Sequence, residues 1–293
     1  SSNSNQFAGI LFYGQNGAAA SNIQGNTITN WNITNSTNNL GYGIFVGSGA
    51  INIGTTTGNI IGASTGNGAI TYTGTYATNG VAFHGISIGN GVNSLSPVNI
   101  KNNIIGSITA SSTTGGVSVF GINQNCSVCT SNVSNNTIGS TTTVNSITVS
   151  STSTLYGNDL VAINSGANSS GNNTISSNTI ANLSNNIAVN LGFVLNGIQV
   201  NAGTTSVTAN TVRDLTTNSI NASSTNTAAL TGINIVGSNL VNVNNNTIYN
   251  LSNTSSAFAG IVNGILMYSN TSFAHQFKNN FIYGLSTNPS ASN

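Results

Sequence analysis

Val243-Asn244-Asn245-Asn246-Thr247-Ile248-Tyr249-Asn250-Leu251 sets an Asn three residues after one aliphatic side chain, two before a second and five before a third. The same spacing returns along the whole chain. Its Asn positions are Asn26, Asn59, Asn103, Asn136, Asn178, Asn210, Asn246 and Asn280, at intervals of 33, 44, 33, 42, 32, 36 and 34 residues. Two residues later stand Ile28, Ile61, Ile105, Ile138, Ile180, Val212, Ile248 and Ile282. Three residues earlier stand Ile23, Thr56, Ile100, Val133, Ile175, Val207, Val243 and Phe277. Trp31, Ile108, Leu183, Leu215, Leu251 and Leu285 close the pattern five residues on. A motif that recurs at a few tens of residues marks one structural unit stacked on copies of itself.

A second motif interleaves with the first: Gly9-Ile10, Gly43-Ile44, Gly85-Ile86, Gly121-Ile122, Ala162-Ile163, Gly197-Ile198, Gly232-Ile233 and Gly264-Ile265, each 13 to 18 residues before the next Asn. Side chains that share one face of a strand recur every second residue, so Ile233 pairs with Ile235 and Ile198 with Val200. A jump of three, as from Val243 to Asn246 or from Ile248 to Leu251, inserts one residue and marks a bend. Leu195 to Ile198 is a third bend, where Gly supplies a backbone conformation closed to residues with a Cβ. Three bends joining short strands make a triangular coil, and eight coils spaced at ~4.8 Å make a rod roughly 40 Å long. The recurring Asn suits a left-handed bend, and its amide can hydrogen-bond from coil to coil.

The predicted fold is therefore all-β: a single right-handed parallel β-helix, or solenoid, of about eight three-strand coils with an internal Asn ladder, over residues 1–293 as one domain. On these motifs, residues 7 to 285 resemble the right-handed parallel β-helix repeat proteins of the secreted or cell-surface bacterial type. That fold hosts lyases, hydrolases, adhesins and structural stalks alike, so the resemblance implies an extracellular or cell-surface location and no particular activity. Asn-to-Gly intervals of 26 in two coils place insertions near Ser64 to Asn79 and Thr141 to Asp159.

Composition narrows the function further. Charged residues are 2% of the chain and the net charge is +1; Lys101, Arg213 and Lys278 are the only cations, too few to release counterions from a nucleic acid. The longest apolar run, Ile187 to Leu195, is broken by Asn190 and Gly192, so no membrane-inserting segment is expected. The two carboxylates, Asp159 and Asp214, fall at different positions of the coil, which does not suit a glycosidase pair. No calcium nonapeptide, phosphate loop or nucleophile elbow is present, and no catalytic residue, cofactor or metal is expected. His84 and His275 read as solvated outward side chains. Thr27, Thr137, Thr179, Thr211 and Thr247 form a column, but their outward neighbours are too irregular for a flat ice-binding face. Cys126-Ser-Val-Cys129 reads as a local disulfide of a secreted protein.

The chain starts at Ser1 without a basic and apolar leader, which suits a processed form or a piece of a longer array. Neither end carries a cap motif, so Phe7, Ile10 and Phe12 at one end and Phe281, Ile282 and Leu285 at the other are the candidate self-assembly surfaces. Gly9 is the ninth residue and 13 residues follow Asn280, so a second copy would continue the repeat across a junction at an interval of 22, within the 17 to 26 seen inside the chain. The expectation is a non-enzymatic subunit of an extracellular filament whose partner is itself, built by head-to-tail stacking. The alternative is an adhesin or carbohydrate-binding stalk that takes glycans on Tyr72, Tyr76, Tyr249 and Tyr283.

Overall fold

The computed structural model describes residues 6–35, 40–75, 81–93, 97–126, 128–153, 158–166, 171–187, 193–237, 239–268 and 272–288. Every regular element among them is a strand. They form a parallel β-solenoid with three sheets, and all strand pairings are between successive turns. The first sheet runs through eight rungs from Gln6–Tyr13 to Val262–Met267, and the second through eight from Ser21–Ile23 to Gln276–Lys278. The third holds twelve strands. Its first four rungs are each split in two, as in Thr27–Ile28 with Trp31–Asn35, whereas Thr179–Asn186, Thr211–Thr217, Thr247–Asn253 and Phe281–Thr287 run unbroken round the corner. Eight rungs per sheet give seven steps from first to last.

Columns of like residues carry the fold. Ile10, Ile44, Ile86, Ile122, Ile163, Ile198, Ile233 and Ile265 are direct partners along the first sheet. Ile44 through Ile233 in this column are fully buried. Parallel pairing in register puts β-branched side chains directly over one another, where their stiff χ1 costs little and their area is removed from water. At roughly 25 cal/mol per Å² of buried apolar surface, these stacked columns supply most of the stabilisation in a chain with almost no ion pairs.

The local geometry differs from the sequence reading in three ways. The left-handed backbone lies one residue before the ladder Asn, at Asn102, Asn135, Ser177, Ala209, Asn245 and Asn279, with φ between 54° and 58°. The ladder Asn is thus chosen for its amide and not for its dihedrals. A second left-handed column turns the corner within the third sheet at Asn30, Ser107, Asn182, Asp214, Asn250 and Gly284. The Gly-Ile motif does not need positive φ; its glycines stay in the strand because a Cβ would find no room. At Gly121 it would lie 2.5 Å from the Ala162 carbonyl and 2.8 Å from Ile138 Cγ2. In the second turn the aliphatic column continues through Ile53, paired with Ile23 and Ile100, and not through Thr56, because the corner there holds three extra residues.

The two insertions occupy corners of the third sheet, between Ile60–Gly62 and Ile70–Gly74 and between Thr137–Gly139 and Ile147–Ser151. They flank the same uninserted turn and meet across it, the Gly66 N–H donating to Thr143 Oγ1 at 3.1 Å. Arg213 reaches back to this ridge, donating to the Thr141 carbonyl at 2.8 Å while pairing with Asp214.

Candidate functional site

The Asn ladder forms at the corner between the second and third sheets. Each step has the same wiring. The Nδ2 of Asn26, Asn59, Asn103, Asn136, Asn178, Asn210 and Asn246 donates to the Oδ1 of the next Asn at 2.8 to 3.0 Å. The backbone N–H of the same residue donates to that same oxygen at 3.0 Å. The second Nδ2 hydrogen goes back to the second-sheet aliphatic carbonyl of the preceding turn, as from Asn178 to Val133 and from Asn210 to Ile175, both at 2.9 Å. An amide has two donors and two lone pairs. Inside the rod all four are used, which is what lets these side chains be buried to within 1%.

In the first and last described rungs the apolar side chains are exposed. Ile282 and Leu285 are 40% and 39% exposed, whereas Ile248 and Leu251, their partners one rung inward, are fully buried. Phe277 is 43% exposed against 0% for Val243. At the other end Phe7 is 44% exposed, with Ile10 and Phe12 half-buried, and a hollow of about 480 Å³ opens between Phe7, Ala8, Trp31 and Ile33. The candidate end residue Phe281 belongs elsewhere. It continues the outward Thr column through its partner Thr247 and packs on Tyr283 with centroids 4.9 Å apart.

The outer face of the first sheet carries an aromatic stack that sequence reading missed. His84 sits between Tyr42 and Phe120 at 5.2 and 5.0 Å, and Phe45 lies 4.8 Å from Tyr42. His84 was expected in solvent but is 7% exposed, and its Nδ1 has no hydrogen-bond partner among the described residues. The signal was available only through register, since Tyr42, His84 and Phe120 are 42 and 36 residues apart. A groove of about 310 Å³ opens beside the stack, bordered by Phe45, Ser87, Asn90 and Asn123. Of the four tyrosines expected to meet glycans, Tyr72 is fully buried in the core and Tyr76 lies outside the described residues. Tyr249 and Tyr283 stack face to face at 4.9 Å.

Asp214 pairs with Arg213 at the third-sheet corner and accepts from Asn250 Nδ2 at 3.0 Å. Asp159 instead serves the first sheet, its Oδ1 accepting the Val194 N–H at 3.1 Å. His275 Nδ1 accepts the Val241 N–H at 3.2 Å. Among the described residues no three His, Cys, Asp or Glu side chains gather in one place. Cys126 and Cys129 are disulfide-bonded, and both sulfur-bearing residues belong to the core between the first and second sheets.

Burial moves two titrating groups, Asp159 and His84, in opposite directions. It pushes the Asp159 carboxyl up to about 6, with the Val194 N–H partly opposing, and the His84 imidazole down to about 4. Folded Asp159 holds its proton more tightly than the unfolded chain, so its contribution is full below about pH 4 and lost as pH rises through 6. Folded His84 resists its proton, so its contribution is full above about pH 6.5 and lost as pH falls through 4. Each is worth on the order of 3 kcal/mol, and the two nearly cancel between pH 4 and 6.5. Urea unfolding of the wild-type chain is expected to be flat across that window. Asp159→Asn should lose stability as pH falls, and His84→Phe should gain it. Parallel pH profiles for all three proteins would refute the assignment.

No protein-family model, no curated protein and no solved structure matches the chain.

Proposed function

We propose that this chain is a non-enzymatic structural module of an extracellular filament, lengthened by seating one copy's first rung on the last rung of another. The carrying observation is the pair of open apolar layers: side chains 39 to 44% exposed at the end rungs stand in columns whose interior members are fully buried. Another rung of the same kind covers such a layer and pairs its free strand edges at once. A net charge of +1 leaves little repulsion between copies. The disulfide and the scarcity of charge support a secreted origin, of the bacterial surface type that the repeat resembles.

Sedimentation velocity and negative-stain microscopy of the 293-residue chain test this. Rods are expected to lengthen with concentration in steps of about 40 Å, eight rungs at the parallel-strand spacing. Ile282→Lys should stop the growth, since a charge would be trapped in the joined layer. Solitary rods at millimolar concentration would refute it. The uncharged amide and aromatic lining of the groove beside His84 supports a second reading, a stalk that binds neutral glycans; a glycan array with wild-type and Asn123→Ala protein tests that separately.

A further inference from the structure

The ladder is directional, and its two ends are complementary. At each internal step the earlier Asn gives two hydrogens and the later one supplies the oxygen that takes both, as Asn246 N–H and Nδ2 give to Asn280 Oδ1 at 3.0 and 2.9 Å. Among the described residues Asn280 has no following partner; its Nδ2 gives one hydrogen to the Val243 carbonyl at 2.8 Å, and its N–H and second amide hydrogen meet no acceptor there. Asn26 gives to Asn59 and to the Gln24 carbonyl, while its Oδ1 accepts from none of the described residues. One end of the rod thus offers two donors at this column and the other end one two-lone-pair acceptor.

We infer that Asn280 of one copy donates both hydrogens to Asn26 Oδ1 of the next, so that the Asn ladder runs unbroken through the junction and dictates its register and polarity. The inference rests on the stacking proposed above. A tail-to-tail contact would set donors against donors, and a head-to-head contact would set an acceptor against an acceptor. Only the heterologous arrangement satisfies both ends, and a contact of that kind propagates without closing when successive copies keep one axis. In the same register Ile282 covers Ile28, Leu285 covers Trp31, and Phe277 covers Ile23. Each pair continues a column already present inside the chain.

Two measurements separate this inference from stacking in general. The continued ladder places Thr29 of one copy beside Tyr283 of the preceding copy, in the column that pairs Tyr249 with Tyr283. Neighbouring parallel strands lie at ~4.8 Å, within the Cα range of a disulfide. The Thr29→Cys, Tyr283→Cys double variant is therefore expected to oxidise into covalent end-to-end oligomers, whereas Thr29→Cys with Tyr249→Cys, one rung out of register, stays monomeric on a non-reducing gel. Asn26→Leu removes the acceptor and should raise the critical concentration for polymerisation about tenfold or more, since two donors are left buried and unpaired. Asn22→Leu, an outward change on the same end rung, should stay within about twofold of wild type, far below the tenfold step of an unpaired donor. Circular dichroism of dilute monomer verifies that each variant is folded. Filaments that form normally but give no Thr29–Tyr283 cross-link, or that form equally well with Asn26→Leu, would overturn the ladder junction and leave stacking standing. Wild-type protein that never associates would remove both.

Discussion

Asn178→Ala is expected to cost on the order of 4–6 kcal/mol, several times the usual single-site change. Asn178 Oδ1 takes two hydrogens from Asn136, and its Nδ2 feeds Asn210 Oδ1 and the Val133 carbonyl, each at 2.9 to 3.0 Å. Truncation removes all four bonds, leaves the Asn136 N–H buried without a partner, and leaves the Asn136 amide only the Ile100 and Ser134 carbonyls. Water cannot replace these bonds without opening the corner, and each stranded group costs about 1–3 kcal/mol. A solenoid is held by nearest-neighbour interfaces, so a fault in its middle should also uncouple the two halves and split the unfolding transition. Asn178→Asp should be as damaging at neutral pH, because a carboxylate faces two acceptors where the amide donated. Asn26→Ala, half-exposed at an end, should cost less than about 1 kcal/mol. Urea unfolding of the three variants decides it. An Asn178→Ala protein within about 1 kcal/mol of wild type would sink the claim that the amide, and not the backbone turn, is what the column requires.

Gly139→Ala should be nearly as severe for a different reason. Gly139 has φ +88°, and an added Cβ would lie 1.8 Å from the Ala181 carbonyl and 3.0 Å from Leu183 Cδ2. That carbonyl accepts the Ser140 N–H at 3.3 Å, so it cannot swing away without breaking the start of the corner insertion. Left-handed strain of about 1–2 kcal/mol adds to a clash against backbone, and a total of about 3–5 kcal/mol is expected. Gly62 repeats the arrangement, with φ +82° and 1.8 Å to the Gly106 carbonyl. Gly121→Ala is the informative contrast. Its column already contains Ala162, fully buried in a neighbouring rung, so the structure has one solution for a methyl there. Thermal melting should rank Gly139→Ala well below Gly121→Ala; equal midpoints would show that the corner relaxes freely.

Both residues show where sequence reasoning reached and where it stopped. The eight ladder positions were legible because each repeats the same spacing to its aliphatic neighbours. The role of each amide was only half legible: the coil-to-coil bonds followed from stacking, but the left-handed residue was assigned one position too late. Glycines of the Gly-Ile motif were read as dihedral devices and turned out to be spatial ones. Gly62 and Gly139, which do need positive φ, directly follow the repeat's Ile61 and Ile138, where the two insertions of differing sequence begin. Tyr72 falls within the insertion assigned to Ser64 to Asn79 and was expected at the surface, yet its pairing with Ile33 and Ala110 places it in the core. His84 was misplaced for the converse reason. Its neighbours in sequence are ordinary strand residues, and the rings that cover it belong to the turns above and below.

Taken alone, the sequence determined the period, the all-β parallel stacking, the columns and the uncharged surface. Those properties depend on each turn matching a near copy of itself, so they are written wherever the pattern repeats. Tertiary structure decided which hydrogen-bond valences are filled, which glycines lack room for a methyl, which aromatic rings are buried and in which direction the proton affinities of Asp159 and His84 move. Each of these depends on groups brought within a few ångströms by the length of an intervening loop, and loop length varies from turn to turn while the columns do not.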